Sequence, residues 1–457
     1  MSSEKKKNKY EIDMCNGSIM NKLISFSIPL MLSANLQLLF NAVDIIVVGK
    51  FSGSKSLAAV GATSALINLL INLFMGISLG ANVMAGRFFA AKKEKEMSDV
   101  VHTSMTFALL SGIFVGIIGI ILSRWALTLM ATPDDIINLS VTYMRIYFLG
   151  MPFFMVYNYG AAVLRAVGDT KRPLMFLVIA GILNAGLNMI LVIVFHLGVV
   201  GVAVATAFSQ FVSCILVVRC LCKTEGSYQL HFSKLCLKKE YLKQIFKIGL
   251  PAGIQSIVIN FSNVLLQSSV NSFGSVAMAG YTAANNVFGF LYATVNSFTQ
   301  TCMSFTSQNF GVKKWKRMDK ILMECSALSV GVTLVLGTAV YMFGESVLAI
   351  YTSSPDVIKC GMDVFYYTTI TYFICGLMDL FPGAMRGMGY SLVPMVLSII
   401  GTVGVRIFWI YCVFPSHHSL DTLFFSYPLS WLITVIMQVI CFYFVRKKAY
   451  KLIRSDK

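Results

Sequence analysis

Two carboxylates stand where carboxylates are costly. Asp44 lies in the apolar stretch 20–48, six residues before Lys50, and Asp379 lies in the stretch 362–385, seven residues before Arg386. A bare charge carries a desolvation penalty in hydrocarbon, so an acid inside such a run is a functional candidate by default. The chemistry on offer is reversible binding of Na⁺, a hard cation that takes oxygen donors, or of a proton, since burial favours the neutral acid. Either event cancels the penalty and lets a bound ion select one conformation over another. The structural alternatives are an ion pair, exposure of Asp44 at the outer surface, or hydration of Asp379 in an inward cavity. Arg145 has a depth similar to that of Asp44, and Arg406 is the corresponding partner for Asp379; these two alone, of 37 Lys and Arg, fall within apolar runs away from the loops.

Other chemistries lack their residues. No H-E-x-x-H metal helix and no G-x-x-x-x-G-K-[ST] phosphate loop occurs. The eleven cysteines include no C-x-x-C pair and are expected as free thiols, without a zinc site. The chain is therefore expected not to be an enzyme, and to need no cofactor beyond Na⁺ or H⁺ as a coupling ion.

The elements that position the two acids are membrane spans. Of 457 residues, 57% are hydrophobic and 12% charged, against roughly 25% charged in soluble domains. Twelve apolar runs long enough to cross a bilayer occur, at 20–48, 57–84, 100–123, 136–164, 174–196, 199–222, 245–271, 276–304, 321–343, 362–385, 392–414 and 422–445. Pro29, Pro152, Pro251, Pro382 and Pro428 are candidate kinks within them.

The net charge of +17 is not a nucleic-acid footprint. Of the 37 Lys and Arg, 31 fall in the termini and in alternate loops, while the other loops hold only Lys50, Lys55, Arg124 and Lys359. Short cytoplasmic loops collect basic residues, so both termini are expected in the cytoplasm. No nucleic-acid partner is expected. The basic start leads into a run too long for a cleavable signal peptide and reads as the first span.

The chain also repeats itself. Pro29 and Pro251, like Thr132-Pro133-Asp134 and Ser354-Pro355-Asp356, are 222 residues apart; Arg165-x-x-Gly168 and Arg386-x-x-Gly389, like Pro173 and Pro394, are 221 apart. Self-similarity at half the chain length marks a duplicated unit. With six spans per half the repeats are parallel, an arrangement used by transporters. The expected fold is an all-α polytopic membrane protein with twelve transmembrane helices in two parallel-repeat six-helix lobes. Its parts are a poorly ordered N-terminal tail 1–18, an N-lobe 19–222, a linker 223–244, a C-lobe 245–445 and a tail 446–457. The stretch 234–246 mixes apolar and basic residues and is expected as an amphipathic surface helix. By the repeat offset Asp379 corresponds to Asn158, so only one lobe is charged there.

Several motifs resemble the multidrug and toxic compound extrusion (MATE) family. They are Ile28-Pro29-Leu30-Met31 with Val43-Asp44-Ile45-Ile46-Val47-Val48-Gly49, Leu164-Arg165-Ala166-Val167-Gly168-Asp169-Thr170-Lys171-Arg172-Pro173, and Ala384-Met385-Arg386-Gly387-Met388-Gly389. Their order and spacing match along nearly the whole chain. The resemblance implies export of cationic or amphipathic compounds in exchange for Na⁺ or H⁺, and an acid at the position of Asp44. Two features depart from the family. Leu183-Asn184-Ala185-Gly186-Leu187-Asn188 carries Asn188 where some members have an acid, and span 7 has no glutamate. Neutral oxygens of Asn184, Asn188, Asn41 and Gln37 are candidates to complete an ion site with Asp44. For each of these amides the alternative is helix–helix hydrogen bonding.

A substrate cavity is expected to draw on Tyr157, Asn158, Asn286, Phe288, Gln255 and Asn260. Twenty-five Met and 34 Phe suit an adaptable lining, though such residues more often fill packing positions. Arg165, Gly168, Arg386 and Gly389 sit at span ends and are expected to anchor geometry. The predicted partners are small-molecule drugs or organic cations and the bilayer. The chain is expected as a monomer in a bacterial cytoplasmic membrane. One charge moving through about 100 mV supplies about 2.3 kcal/mol, roughly a 50-fold gradient at about 1.4 kcal/mol per decade. The competing readings are a lipid-linked oligosaccharide flippase of the same superfamily, which calls for a cationic cluster beyond Arg145 and Arg406, and a non-transporting membrane receptor or scaffold.

Overall fold

The computed structural model describes residues 9–455, with side chains through Lys451; the tail residues 1–8 and 456–457 lie outside the described residues. The chain divides into two units, Met1–Asp13 with Ile28–Gly249 and Met14–Ser27 with Leu250–Lys457.

The first unit holds α1 (Met20–Phe51, from Ile28 onward), α2 (Gly53–Ala90), α3 (Glu94–Leu129), α4 (Asp134–Leu149), α5 (Met151–Ala166), α6 (Lys171–Asn188) and α7 (Gly198–Lys223). The second holds α8 (Lys239–Asn271, from Leu250 onward), α9 (Ser275–Gly311), α10 (Trp315–Met342), the short α11 (Gly344–Ala349), α12 (Pro355–Thr368), α13 (Tyr372–Gly387), α14 (Leu392–Ser398), α15 (Val405–Phe408) and α16 (Leu420–Ser455). Among the described residues, nine segments are long and apolar enough to cross a membrane singly, and two bent helix pairs make eleven. The twelfth, α9, has 37 residues, about 55 Å at 1.5 Å per residue. Its many hydroxyl and amide side chains lower its hydropathy, and most of them are buried against neighbouring helices. The twelve expected spans are thus twelve helical segments.

The duplication reaches the irregularities. The fourth span is broken between α4 and α5 with a 45° bend, and the tenth between α12 and α13 with a 51° bend. The fifth span passes into a π-helical stretch at Met189–Val194; the eleventh does so at Ile399–Gly404 and again at Trp409–Val413. Of the five candidate kink prolines, only Pro152 sits beside a break. Pro29, Pro251, Pro382 and Pro428 stay inside continuous helices.

Small residues let the helices touch by backbone, as packing in a bilayer requires. A Cβ on Gly80 of α2 would fall 2.1 Å from the carbonyl oxygen of Ile245 at the start of α8. In the second unit a Cβ on Gly337 would fall 2.2 Å from the carbonyl oxygen of Thr369. The second unit also has an aromatic core, where Phe288 packs at 5.8 Å from Phe365 and 6.0 Å from Tyr372.

Two expectations about the ends and the linker are corrected. Residues 9–18 of the tail are held in place. The Tyr228 hydroxyl donates to Glu11 at 2.6 Å, and Ile12 N–H donates to the Gly168 carbonyl at 3.4 Å. From Met14 onward the backbone carbonyls of Met14, Asn16 and Gly17 accept from Arg317. A guanidinium thus meets the polar backbone, and a phenol the Glu11 carboxylate, in a segment that a hydrophobicity count leaves unassigned. The linker forms no separate surface helix over 234–246. It docks on α3 instead, with His231 N–H donating to His102 Nε2 at 3.0 Å and the Lys238 ammonium 2.6 Å from Asp99, before α8 begins at Lys239. The second unit accordingly begins at Leu250 rather than at 245, and it takes in Met14–Ser27 from the start of the chain.

Candidate functional site

Asp44 lies on α1 beside the C-terminal end of α6, over a cluster of Val47, Val48, Val60, Tyr143 and Val192. Asn184 and Asn188 are four residues apart, which sets them on one face of α6. The Asn188 amide nitrogen donates to the Asp44 carboxylate. It also lies 3.3 Å from the Asn184 oxygen, and the Asn184 amide donates to the Thr206 hydroxyl at 3.4 Å. Thr206, on α7, reaches the Asp44 carboxylate as well. Asn188 is fully buried, and among the described residues its Oδ1 accepts no hydrogen bond. A buried acceptor without a donor costs about 1–3 kcal/mol. A carboxylate, an orphaned amide oxygen, a second amide oxygen and a hydroxyl together form an oxygen-rich nest suited to a small hard cation.

The sequence reading found three of these four groups. Thr206 was missed; its only signal is a hydroxyl in the apolar segment Ala205-Thr206-Ala207. Asn41 and Gln37 are exposed on α1, and among the described residues neither hydrogen-bonds Asp44. The ion pair between Asp44 and Arg145 does not form. Arg145 is exposed and donates to the Ile120 carbonyl and the Ser123 hydroxyl, each at 3.3 Å.

Asp379 is placed differently. It is 8% exposed on α13, near the Tyr292 hydroxyl and within reach of the charge of Arg386, two turns along the same helix. Arg386 is equally buried and donates from Nη2 to Gln255 Oε1 at 2.7 Å, while its Nε has no partner. Asn296 lies near Tyr292 and accepts from Gln300 Nε2 at 2.7 Å, extending the cluster along α9. The cation near Asp379 is therefore Arg386, not Arg406, and Arg386 does more than anchor a span end. Tyr292, Asn296 and Gln300 escaped the sequence reading because an aromatic and two amides at helical spacing look like ordinary packing.

The candidate cavity residues scatter. The Tyr157 hydroxyl donates to the Pro173 carbonyl at 3.1 Å, and the Asn158 amide to its own helix at Phe154, 2.8 Å away. Phe288 belongs to the aromatic core of the second unit, and Gln255 is committed to Arg386. Asn286 and Asn260 are exposed and without hydrogen bonds. The repeat partners Asn158 and Asp379 thus share a position and no chemistry.

Twelve spans in two like units, with a carboxylate nest in one, define a membrane transporter fold. The MatE family profile matches residues 29–190 and again 251–412, and the chain belongs to that family. It is 29% identical over 442 residues to the probable multidrug resistance protein YoeA of Bacillus subtilis (strain 168), covering 94% of this chain and 95% of that one. It is 22% identical over 383 residues to the multidrug export protein MepA of Staphylococcus aureus (strain MW2), covering 84% of each. Among solved structures, one described as the outward-facing conformation of a multidrug resistance MATE family transporter superposes with a TM-score of 0.91 at 20% identity, over 98% of this chain and 100% of that one. At that identity the likeness establishes the fold.

Proposed function

We propose that the protein is a secondary-active exporter of cationic and amphipathic compounds. In this reading Asp44, Asn184, Asn188 and Thr206 hold the coupling ion, Na⁺ or H⁺. The observation that carries it is the fully buried Asn188 Oδ1, which accepts no hydrogen bond beside the Asp44 carboxylate. A cation seated there satisfies the orphaned oxygen and neutralises the acid at once, which lowers the cost of packing α1 against α6. Ion binding and release then bias the spans between two arrangements, and a substrate that favours the ion-free arrangement is driven outward. The names of the relatives support a drug substrate. The alternation of basic and neutral loops supports a bacterial cytoplasmic membrane location with both termini inside. We take a single chain as the working unit.

The direct test is calorimetric titration of the purified protein with Na⁺, with released protons followed in the same experiment. Wild type should show Na⁺ binding or proton release, and Asp44→Asn should show neither. Equal binding by wild type and Asp44→Asn contradicts the reading.

A further inference from the structure

The neighbours of Arg406 stand at repeat positions near Asp44, although Asp44 itself corresponds to Leu266 and Arg406 to Ala185. Asn263 stands 222 residues after Asn41, Tyr427 stands 221 after Thr206, and Arg406 stands 221 after Ala185, next to Asn184. In the first unit this corner holds the Asp44 carboxylate; in the second it holds a guanidinium.

Arg406 is 3% exposed and sits on four α-helical residues between two π-helical stretches, a local geometry common at functional sites. Its Nε donates to the Ser430 hydroxyl at 3.3 Å and its Nη1 to Asn263 Oδ1 at 2.9 Å. Its carbon lies 4.6 Å from the centre of the Tyr427 ring, whose hydroxyl is 2.6 Å from that of Tyr281. All of these partners are neutral. Among the described residues Arg406 has no ion pair, and its Nη2 makes no hydrogen bond. A lone buried guanidinium in a span is costly and calls for a counter-charge.

A second donor stands beside it. Asn263 is exposed on α8; its oxygen is taken by Arg406, and its amide nitrogen has no partner. Ser256, Asn260, Asn263, Gln267 and Asn271 follow one another at spacings of four, three, four and four residues, which makes one face of α8 polar along its length. Amides are not stable against hydrocarbon without partners, so this face addresses water and solutes.

We infer that Arg406 Nη2 and Asn263 Nδ2 bind the carboxylate of a transported compound. Two adjacent donors, one of them charged, match the two oxygens of a carboxylate and give a stronger bond than neutral donors do. The inference rests on the export reading and narrows its substrates to amphipathic compounds that carry a carboxylate alongside any cationic group.

The test uses rhodamine B, which has a free carboxylate, and its ethyl ester, which does not. Binding of each to the full-length protein in nanodiscs is followed by fluorescence anisotropy. Wild type should bind the acid about tenfold more tightly than the ester, the scale of one charged hydrogen bond. Arg406→Gln should bring that ratio to about one, and Arg406→Lys should restore part of it. Asn263→Leu, at an exposed position, should lower the ratio and carries the test if Arg406→Gln does not fold. A wild-type ratio near one, or a ratio that survives both Arg406→Gln and Asn263→Leu, overturns the inference. So does a preference abolished by chloride, which would assign the site to an inorganic anion. Loss of ion-driven transport of the ester with the acid-to-ester ratio intact would overturn the coupling reading and leave this site standing.

Discussion

Asn188 donates its amide nitrogen to the Asp44 carboxylate while its own oxygen, fully buried, accepts nothing. One side chain thus steadies the acid and at the same time offers a vacant oxygen beside it. That combination favours the proposed ion site over a plain helix–helix hydrogen bond, in which both ends of the amide are spent.

Asn188→Ala should therefore weaken cation binding by about tenfold or more, the usual cost of losing a group that orients a cation ligand. Gln37→Ala, at an exposed position of α1 two turns from Asp44, should change it by less than twofold. Titration calorimetry of the two variants against wild type checks both. Equal losses in the two would mean that Asn188 has no special part.

The Arg386–Gln255 hydrogen bond should appear as an energetic coupling. Arg386→Met leaves the buried Gln255 oxygen unpaired and should destabilise the second unit by about 1–3 kcal/mol. Gln255→Leu together with Arg386→Met should recover part of that loss. A double-mutant cycle by denaturant unfolding in detergent measures it. Strict additivity of the two single changes would show that the bond contributes nothing.

Gly80→Ala should lower the unfolding temperature, because the new methyl would lie 2.1 Å from the Ile245 carbonyl oxygen and force α2 and α8 apart. Gly61→Ala, with nothing within 4 Å of its Cβ, should be neutral or slightly stabilising. Parallel melting curves decide; equal shifts would remove the backbone contact as the cause.

Much of the fold could be read before the structure was in view, because hydrophobic run length and loop charge report span number and side directly. The offset between Pro29 and Pro251 reported the duplication. The site was legible where its residues share one helix: Asn184 and Asn188, four apart on α6, stand out from an apolar background. It was not legible where partners come from distant helices. Thr206 and Tyr292 are single polar groups whose neighbours are set by packing, and the alternative ion pairs rested on similar depth for Asp44 with Arg145 and on placement within a span for Asp379 with Arg406. The structure breaks both pairs, because the direction in which a side chain leaves its helix decides a contact and depth does not. Asn41 and Gln37, three and seven residues before Asp44, share its face of α1 but stay exposed, since the contact from α6 comes at Asp44 itself.

The most direct test of the account is uptake of a cationic dye into inside-out vesicles, with Na⁺ and proton gradients imposed separately, for wild type and Asp44→Asn. The account predicts that at least one gradient drives accumulation by wild type and that neither does so for Asp44→Asn at equal protein levels. Gradient-driven accumulation by Asp44→Asn at the wild-type rate would contradict it.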